Sequence, residues 1–161
     1  MSSVQGFSEY PQLSGRGDAP GEPQRTVMLI DDSPTVRRII ELTFERIGIT
    51  VTTFPDGFSA MQALTKGEAQ VPALLLLDIG MPRMDGYEVA RILRTKRAFS
   101  DTIIVMLTGR DGVMDRMRSK MIGARDYIHK PFRISHVVNV VCTQLRITPP
   151  PMTGVASPVE Q

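Results

Sequence analysis

At 161 residues, 42% hydrophobic and 22% charged, the chain is long enough for one domain with a well-buried core and too short for two of ordinary size. A formal net charge of +2 argues against wholesale nucleic-acid or membrane binding, and a single cysteine excludes an internal disulfide framework. No basic segment leads into an apolar run at the N-terminus, and no stretch approaches the ~20 apolar residues of a membrane span, so a cytoplasmic location is expected.

Residues 1–25 hold Gly6, Pro11, Gly15, Gly17, Pro20, Gly21 and Pro23 among few large apolar side chains and read as a disordered N-terminal tail. Arg16-Gly-Asp18 within it matches a receptor-binding tripeptide by coincidence. Thr26-Val-Met-Leu-Ile30 is the first strand and runs directly into Asp31-Asp32. Ser33 then supplies an N-cap and Pro34 a first helical residue, and Val36, Ile39, Ile40, Thr43, Phe44 and Ile47 follow helical spacing up to Gly48. Residues 49–54 make a second strand, and Pro55-Asp56-Gly57 turns into a helix whose inner face is expected to carry Phe58, Met61 and Leu64 before Gly67 stops it.

Ala73-Leu-Leu-Leu-Leu77 has no polar break and reads as a strand buried on both faces, with Asp78 at its end. Asp85 and Glu88 form a capping box for a third helix, with Val89, Ile92 and Leu93 expected inside. Residues 102–107 are a fourth buried strand followed by Thr108-Gly109. A fourth helix over 112–122 is expected to turn Val113, Met117, Met121 and Ile122 inward and Arg116, Arg118 and Lys120 outward. Asp126-Tyr-Ile128 is a short fifth strand, followed by His129, Lys130 and Pro131. Residues 133–146 form the last helix, in which Ile134, Val137, Val138, Val141 and Leu145 face the core and Cys142 is a buried, inert thiol. From residue 148 to 161 the proline-rich chain reads as a second disordered tail.

Strands alternating with helices predict an α/β domain over 26–147, a five-stranded parallel sheet doubly wound by right-handed crossovers, with no stretch left for a DNA-binding helix-turn-helix domain. In such a sheet all strand carboxyl ends lie on one edge, so Asp31, Asp32, Asp78, Thr108 and Lys130 converge although they span about a hundred positions. Two like charges 4 Å apart cost about 4 kcal/mol at an effective dielectric near 20, so three carboxylates need cations: Lys130 and a hard divalent ion such as Mg²⁺. A carboxylate, a hydroxyl, an ammonium and Mg²⁺ together suit phosphoryl transfer to an aspartate. The competing reading of Asp78, a turn or capping residue, requires each of the other groups to sit on this edge by chance.

These residues identify a resemblance to the receiver domains of bacterial two-component response regulators. It is carried by Leu29-Ile-Asp-Asp-Ser33, Asp78-Ile-Gly-Met-Pro-Arg-Met-Asp-Gly86, Met106-Leu-Thr-Gly109, Gly123-Ala-Arg-Asp-Tyr127 and Lys130-Pro-Phe132, in that order. The resemblance implies a flavodoxin-like strand order of 2-1-3-4-5. It implies that Asp78 accepts a phosphoryl group from a histidine kinase or phosphotransfer protein, the chain catalysing only its own phosphorylation and dephosphorylation. Asp31, Asp32 and Asp78, with the backbone carbonyl of Gly80, then hold Mg²⁺, Asp32 being the more direct ligand of the acidic pair. Thr108 and Tyr127 correspond to the family's switch pair, and Lys130 to its phosphate-contacting lysine, whose bond to Pro131 is often cis. Gly80 and Arg110 stand at two variable positions that tune the lifetime of the phosphoryl group.

The readout implied is a downstream protein binding the face of the fourth helix, fifth strand and fifth helix, which Arg116, Arg118, Lys120 and Arg125 make basic. Pairing of two copies on phosphorylation stays open. The stretch Leu107-Thr-Gly-Arg-Asp-Gly112, with Gly123-Ala and Asp126-Tyr, is similar to stand-alone receivers of twitching motility. Two other readings stay open: an intermediate phosphate shuttle in a phosphorelay, and an aspartyl-phosphate hydrolase. The hydrolase usually has a second acid two residues after its nucleophile, where this chain has Gly80.

Overall fold

The computed structural model describes residues 26–109, 117, 118, 120–149 and 151. Its elements are β1 (Thr26–Ile30), α1 (Pro34–Arg46), β2 (Thr50–Phe54), α2 (Gly57–Lys66), β3 (Leu74–Asp78) and α3 (Gly86–Arg94). A 3₁₀ turn (Arg97–Phe99) leads to β4 (Ile103–Thr108). A helix α4 follows, of which residues 117, 118, 120 and 121 are described, then β5 (Asp126–His129) and α5 (Ile134–Gln144). All strand pairings are parallel, in the order β2-β1-β3-β4-β5. This is the doubly wound arrangement expected from the alternation of strands and helices. The expected tails over 1–25 and beyond residue 151, with Arg16-Gly-Asp18, lie outside the described residues.

The central strands carry side chains of one type on both faces, and each face has its own core. On one side Val27, Leu29, Leu74, Leu76, Val105 and Leu107 pack with Val36, Ile40 and Phe44 of α1 and with Val137, Val138, Val141 and Cys142 of α5. On the other, Met28, Ile30, Leu75, Leu77, Ile104 and Met106 pack with Ala60 of α2 and Val89, Ala90 and Leu93 of α3. Cys142 is buried as expected, and burial pushes its thiol above the ordinary value.

The helix ends follow their sequence signals. Ser33 accepts from Val36 N–H with Pro34 in the first turn, and Asp56 accepts from Ser59 N–H. Asp85 and Glu88 form the reciprocal capping box, each side chain taking the other's backbone N–H at 2.9 and 3.1 Å.

Several inward assignments are corrected. Phe58 is 68% exposed because α2 lies on the sheet through the small residues Gly57, Ala60 and Ala63, which puts Phe58 on the opposite face. Ile92 is on the flank of α3, whose buried stripe runs through Tyr87, Val89, Ala90 and Leu93. Met117 and Met121 of α4 are exposed at 55% and 84%, lining a groove against α3, while Ile122 packs on the core. Val113 and Arg116 lie outside the described residues, while Arg118 and Lys120 are exposed as expected. Behind this groove the Arg94 guanidinium donates to the carbonyls of Phe99, Thr102, Ile122 and Gly123, tying α3 to the start of β4 and the end of α4.

Candidate phosphoryl-acceptor site

The strands end in register with one another. Asp78 pairs with Leu107 across β3 and β4, and Thr108 pairs with His129 across β4 and β5. Asp78 and Thr108 are therefore the last residues of their strands rather than the first of their loops, and Lys130 follows β5 directly. The Lys130 N–H donates to the Thr108 carbonyl at 2.6 Å, and the Lys130–Pro131 peptide is cis. Asp31 extends the β1 ladder by one bond, its N–H donating to the Phe54 carbonyl at 3.1 Å.

These strand ends bring one carboxylate oxygen each of Asp31, Asp32 and Asp78 within 4.8 Å of one another. Lys130 Nζ sits among them, 2.8 Å from Asp31 Oδ2 and 3.4 Å from Asp78 Oδ1. Three acids against one ammonium leave a deficit of positive charge. Burial first, and then the Asp31 carboxylate beside it, push the Asp78 carboxyl up to about 6, against the pull of Lys130 and the Gly80 N–H. Lys130 is raised: burial works against its charge, but the hydrogen bond and charge of Asp31, and then Asp78, outweigh it.

Asp31 and Asp32 have different surroundings although they are neighbours in the chain. Asp31 is fully buried, with Oδ1 taking the Ser33 N–H at 2.9 Å and Oδ2 taking Lys130. Its backbone carbonyl is held by the Arg37 guanidinium at 2.7 Å. Asp32 is exposed and, with Asp78, Gly80, Thr108 and Lys130, lines a cavity of about 550 Å³ that Asp31 does not reach. A polar, all-oxygen set short of positive charge fits a hard divalent cation such as Mg²⁺, with Asp32 and Asp78 on the open side and Asp31 holding the lysine behind them.

Asp78 presents one oxygen differently from the other. Oδ1 takes the Gly80 N–H at 3.1 Å and faces Lys130, whereas Oδ2 makes no hydrogen bond or ion pair with a described residue. Behind Asp78 the start of α3 approaches so closely that a Cβ on Gly86 would lie 2.4 Å from the Asp78 carbonyl oxygen, so only glycine fits there. Gly80 has no such crowding, and a Cβ there would lie 3.8 Å from Asp78 Oδ1.

Tyr127, expected as the partner of Thr108, is half-buried against the second core cluster and does not line the cavity. Arg110 lies outside the described residues. The charge-based reading missed Tyr87 and Arg118, which both line the cavity, the Arg118 guanidinium carbon standing 5.9 Å from the Tyr87 ring centroid. Tyr87 stands in the first turn of α3, directly after the loop that leaves Asp78, and this position is the signal that could have found it.

Similarities to known proteins agree with this geometry. The chain is 34% identical over 115 residues to the protein PilG of Pseudomonas aeruginosa, an alignment covering 71% of this chain and 83% of PilG. It is 34% identical over 121 residues to the sensor histidine kinase CheAY of Helicobacter pylori, of which it spans 15%. It is 36% identical over 134 residues to the probable transcriptional regulator ycf27 of Cyanophora paradoxa, spanning about half, 54%, of that protein. A response regulator receiver protein from Burkholderia phymatum superposes with a TM-score of 0.67 at 28% identity, over 79% of this chain and 98% of that one. The chemotaxis protein CheY4 of Vibrio cholerae does so with a TM-score of 0.66 at 27% identity, over 73% and 96%. Residues 27–142 match the response regulator receiver domain, and the chain belongs to that family.

Proposed function

We propose that this chain is a phosphorylation switch in a two-component relay: Asp78 takes a phosphoryl group from a phosphohistidine of a kinase or phosphotransfer protein and thereby changes which protein the surface binds. The observation that carries this reading is the cluster of Asp31, Asp32 and Asp78 around Lys130 at the strand ends, with Asp78 lining the cavity and its Oδ2 making no hydrogen bond or ion pair with a described residue. In the transfer, Asp78 Oδ2 attacks phosphorus and forms an acyl P–O bond. The P–N bond to the donor imidazole breaks, and the imidazole nitrogen keeps the electron pair.

The chain's own groups prepare that step. Lys130, fixed by Asp31, neutralises one phosphoryl oxygen, and the Thr108 hydroxyl, which lines the same cavity, donates to another. Asp32, Asp78 and the Gly80 carbonyl would hold Mg²⁺, which when bound offsets charge shared between carboxylate and phosphoryl oxygens. With a carboxyl near 6, Asp78 is mostly ionised at neutral pH, the form needed for attack.

The likeness to PilG supports a role in pilus-driven motility, and the likeness to CheAY and CheY4 a chemotaxis-type relay. The output is a protein contact through the face of α4, β5 and α5, in the cytoplasm, with no reaction on a third substrate. Among the described residues no helix is long and apolar enough to cross a membrane.

Labelled acetyl phosphate with Mg²⁺ tests the proposal. The chain should take up one phosphoryl group that decays slowly, and Asp78→Asn should take up none. Label retained by Asp78→Asn, or release of many phosphates per chain as in a hydrolase, would refute it.

A further inference from the structure

Lys130, the cation that the strand ends supply to the cavity, is already committed to Asp31 at 2.8 Å and Asp78 at 3.4 Å. A phosphoryl group on Asp78 adds about −1.5 to −2 charge to a cluster where three carboxylates already face one ammonium. A second cation borders the same cavity: Arg118 of α4. It is exposed, and it also lines the groove of about 960 Å³ between α3 and α4. Its guanidinium lies over the ring of Tyr87, a buried residue that likewise borders both hollows. Among the described residues Arg118 forms no ion pair.

A cation over an aromatic face at an exposed site is weakly held. A guanidinium fork, in contrast, matches phosphate oxygens in a bidentate fashion, and such charge-assisted bonds are about twice as strong as neutral ones. The contact that Arg118 makes with the ring is thus weaker than the one that phosphorylation would offer it in the cavity that Asp78 also lines.

Building on the reading of Asp78 as phosphoacceptor, we propose that Arg118 is a second phosphoryl-binding cation, resting on the Tyr87 ring until a phosphoryl group on Asp78 draws it into the cavity. Before transfer the same charge attracts the anionic donor to the cavity mouth. After transfer the guanidinium leaves the Tyr87 face and the α3–α4 groove, so phosphorylation of a strand-end carboxylate is felt on α4 through one side chain. Thr108 and Lys130, by contrast, are buried at strand ends and do not line the groove.

The test uses the full chain, acetyl phosphate as donor and beryllium fluoride as a non-reactive phosphoryl mimic. In labelling, the P–O bond to the acetyl group breaks, acetate leaves with the electron pair, and an acyl P–O bond forms on Asp78. Arg118→Gln is expected to slow labelling about tenfold to a hundredfold, the scale of one charge-assisted hydrogen bond. Its melting temperature should stay within about 2 °C of the parent, as for an exposed substitution. Arg118→Lys, which keeps the charge and loses the fork, should recover part of the rate. The Arg118 Nε–H resonance, assigned by its loss in Arg118→Lys, should shift and exchange more slowly when beryllium fluoride is added, a response that a purely structural role would not give. Parental labelling by Arg118→Gln, or an Nε–H resonance indifferent to beryllium fluoride, overturns the proposal while Asp78 remains the acceptor. A parent chain that takes no label, or an Asp78→Asn chain that does, overturns the phosphoacceptor reading beneath it.

Discussion

Replacing Asp78 by asparagine should stabilise the metal-free protein. The substitution keeps the shape of the side chain and its acceptor for the Gly80 N–H, and removes one of three clustered negative charges. Its size follows from the carboxyl, which burial and Asp31 raise from 3.8 to about 6. At 1.36 kcal/mol per tenfold change in proton affinity, ionising Asp78 in the folded state costs about 3 kcal/mol more than in the unfolded state. The folded value is the higher one, so the unfolded chain gives up its proton first, and wild-type stability falls as pH rises between about 4 and 6. Urea denaturation in EDTA should therefore find Asp78→Asn more stable by about 3 kcal/mol at pH 7.5 and by about 1 kcal/mol at pH 4.5, with matching m-values. Saturating Mg²⁺ should narrow the gap at pH 7.5, because the wild type gains a ligand that the variant binds less well. An Asp78→Asn chain no more stable than the parent at pH 7.5, or a gap independent of pH, would show that the acidic cluster is not under the charge stress argued here.

Other substitutions probe separate parts of the site. Lys130→Met leaves Asp31 buried without its ammonium and should destabilise by about 3–5 kcal/mol at pH 8. Because the folded Lys130 value lies above 10.5, the deficit should shrink as pH rises from 10.5 toward that folded value, and urea midpoints at pH 8 and pH 11 would show this. Gly86→Ala places a Cβ 2.4 Å from the Asp78 carbonyl oxygen, so the backbone must shift; about 1–3 kcal/mol of stability and much of the labelling rate should go with it, measured on one preparation. Gly80→Asn fills open space beside Asp78 Oδ1 and, like Arg110→Ala, should change the decay of labelled Asp78 several-fold, with no change in stability for the Gly80 variant beyond about 0.5 kcal/mol.

Which parts of this molecule could be read from the chain depends on how strongly each residue's burial is written in its own chemistry. Leu74, Leu75, Leu76 and Leu77 are apolar at every position and wholly buried, so a strand covered on both faces was legible without ambiguity. The site followed, because a parallel sheet gathers its carboxyl ends whatever their sequence separation. The helices were less legible. The buried stripe of α2 is glycine and alanine, which carry little hydrophobic signal, so Phe58 drew the inner face to itself. Met117 and Met121 keep helical spacing, but spacing does not say which neighbour α4 leans on. Asp31 and Asp32 looked interchangeable, yet Asp31 is buried with Lys130 and Asp32 stands open. Tyr87 went unseen and Arg118 was read only as part of an outward basic face, because neither sits at a strand end, the one place where converging charges were sought.

On the proposed function, the division between fixed and movable parts would set how strongly phosphorylation of Asp78 acts. The strand-borne groups have little freedom: Asp31 is held by Ser33, Lys130 and, through its carbonyl, Arg37, while Lys130 is shared between two carboxylates and Thr108 is buried. Shifting a two-state equilibrium from 1:99 to 99:1 takes about 5.5 kcal/mol of differential binding. A hydrogen bond to a charged group supplies about 1.5–3 kcal/mol, so no single contact with the phosphoryl group is enough. Two routes remain. Thr108, Lys130 and a cation on α4 can each contribute part of the difference, or the unmodified chain already populates the active surface to several per cent. The routes diverge under mutation. In the first, losing one contact of about 1.5–3 kcal/mol drops the active fraction from about 99% to between about 90% and 40%; in the second, the unmodified chain already shows measurable partner binding that phosphorylation strengthens about ten- to thirtyfold. Partner affinity of the unmodified chain, measured beside the beryllium fluoride form, decides between them.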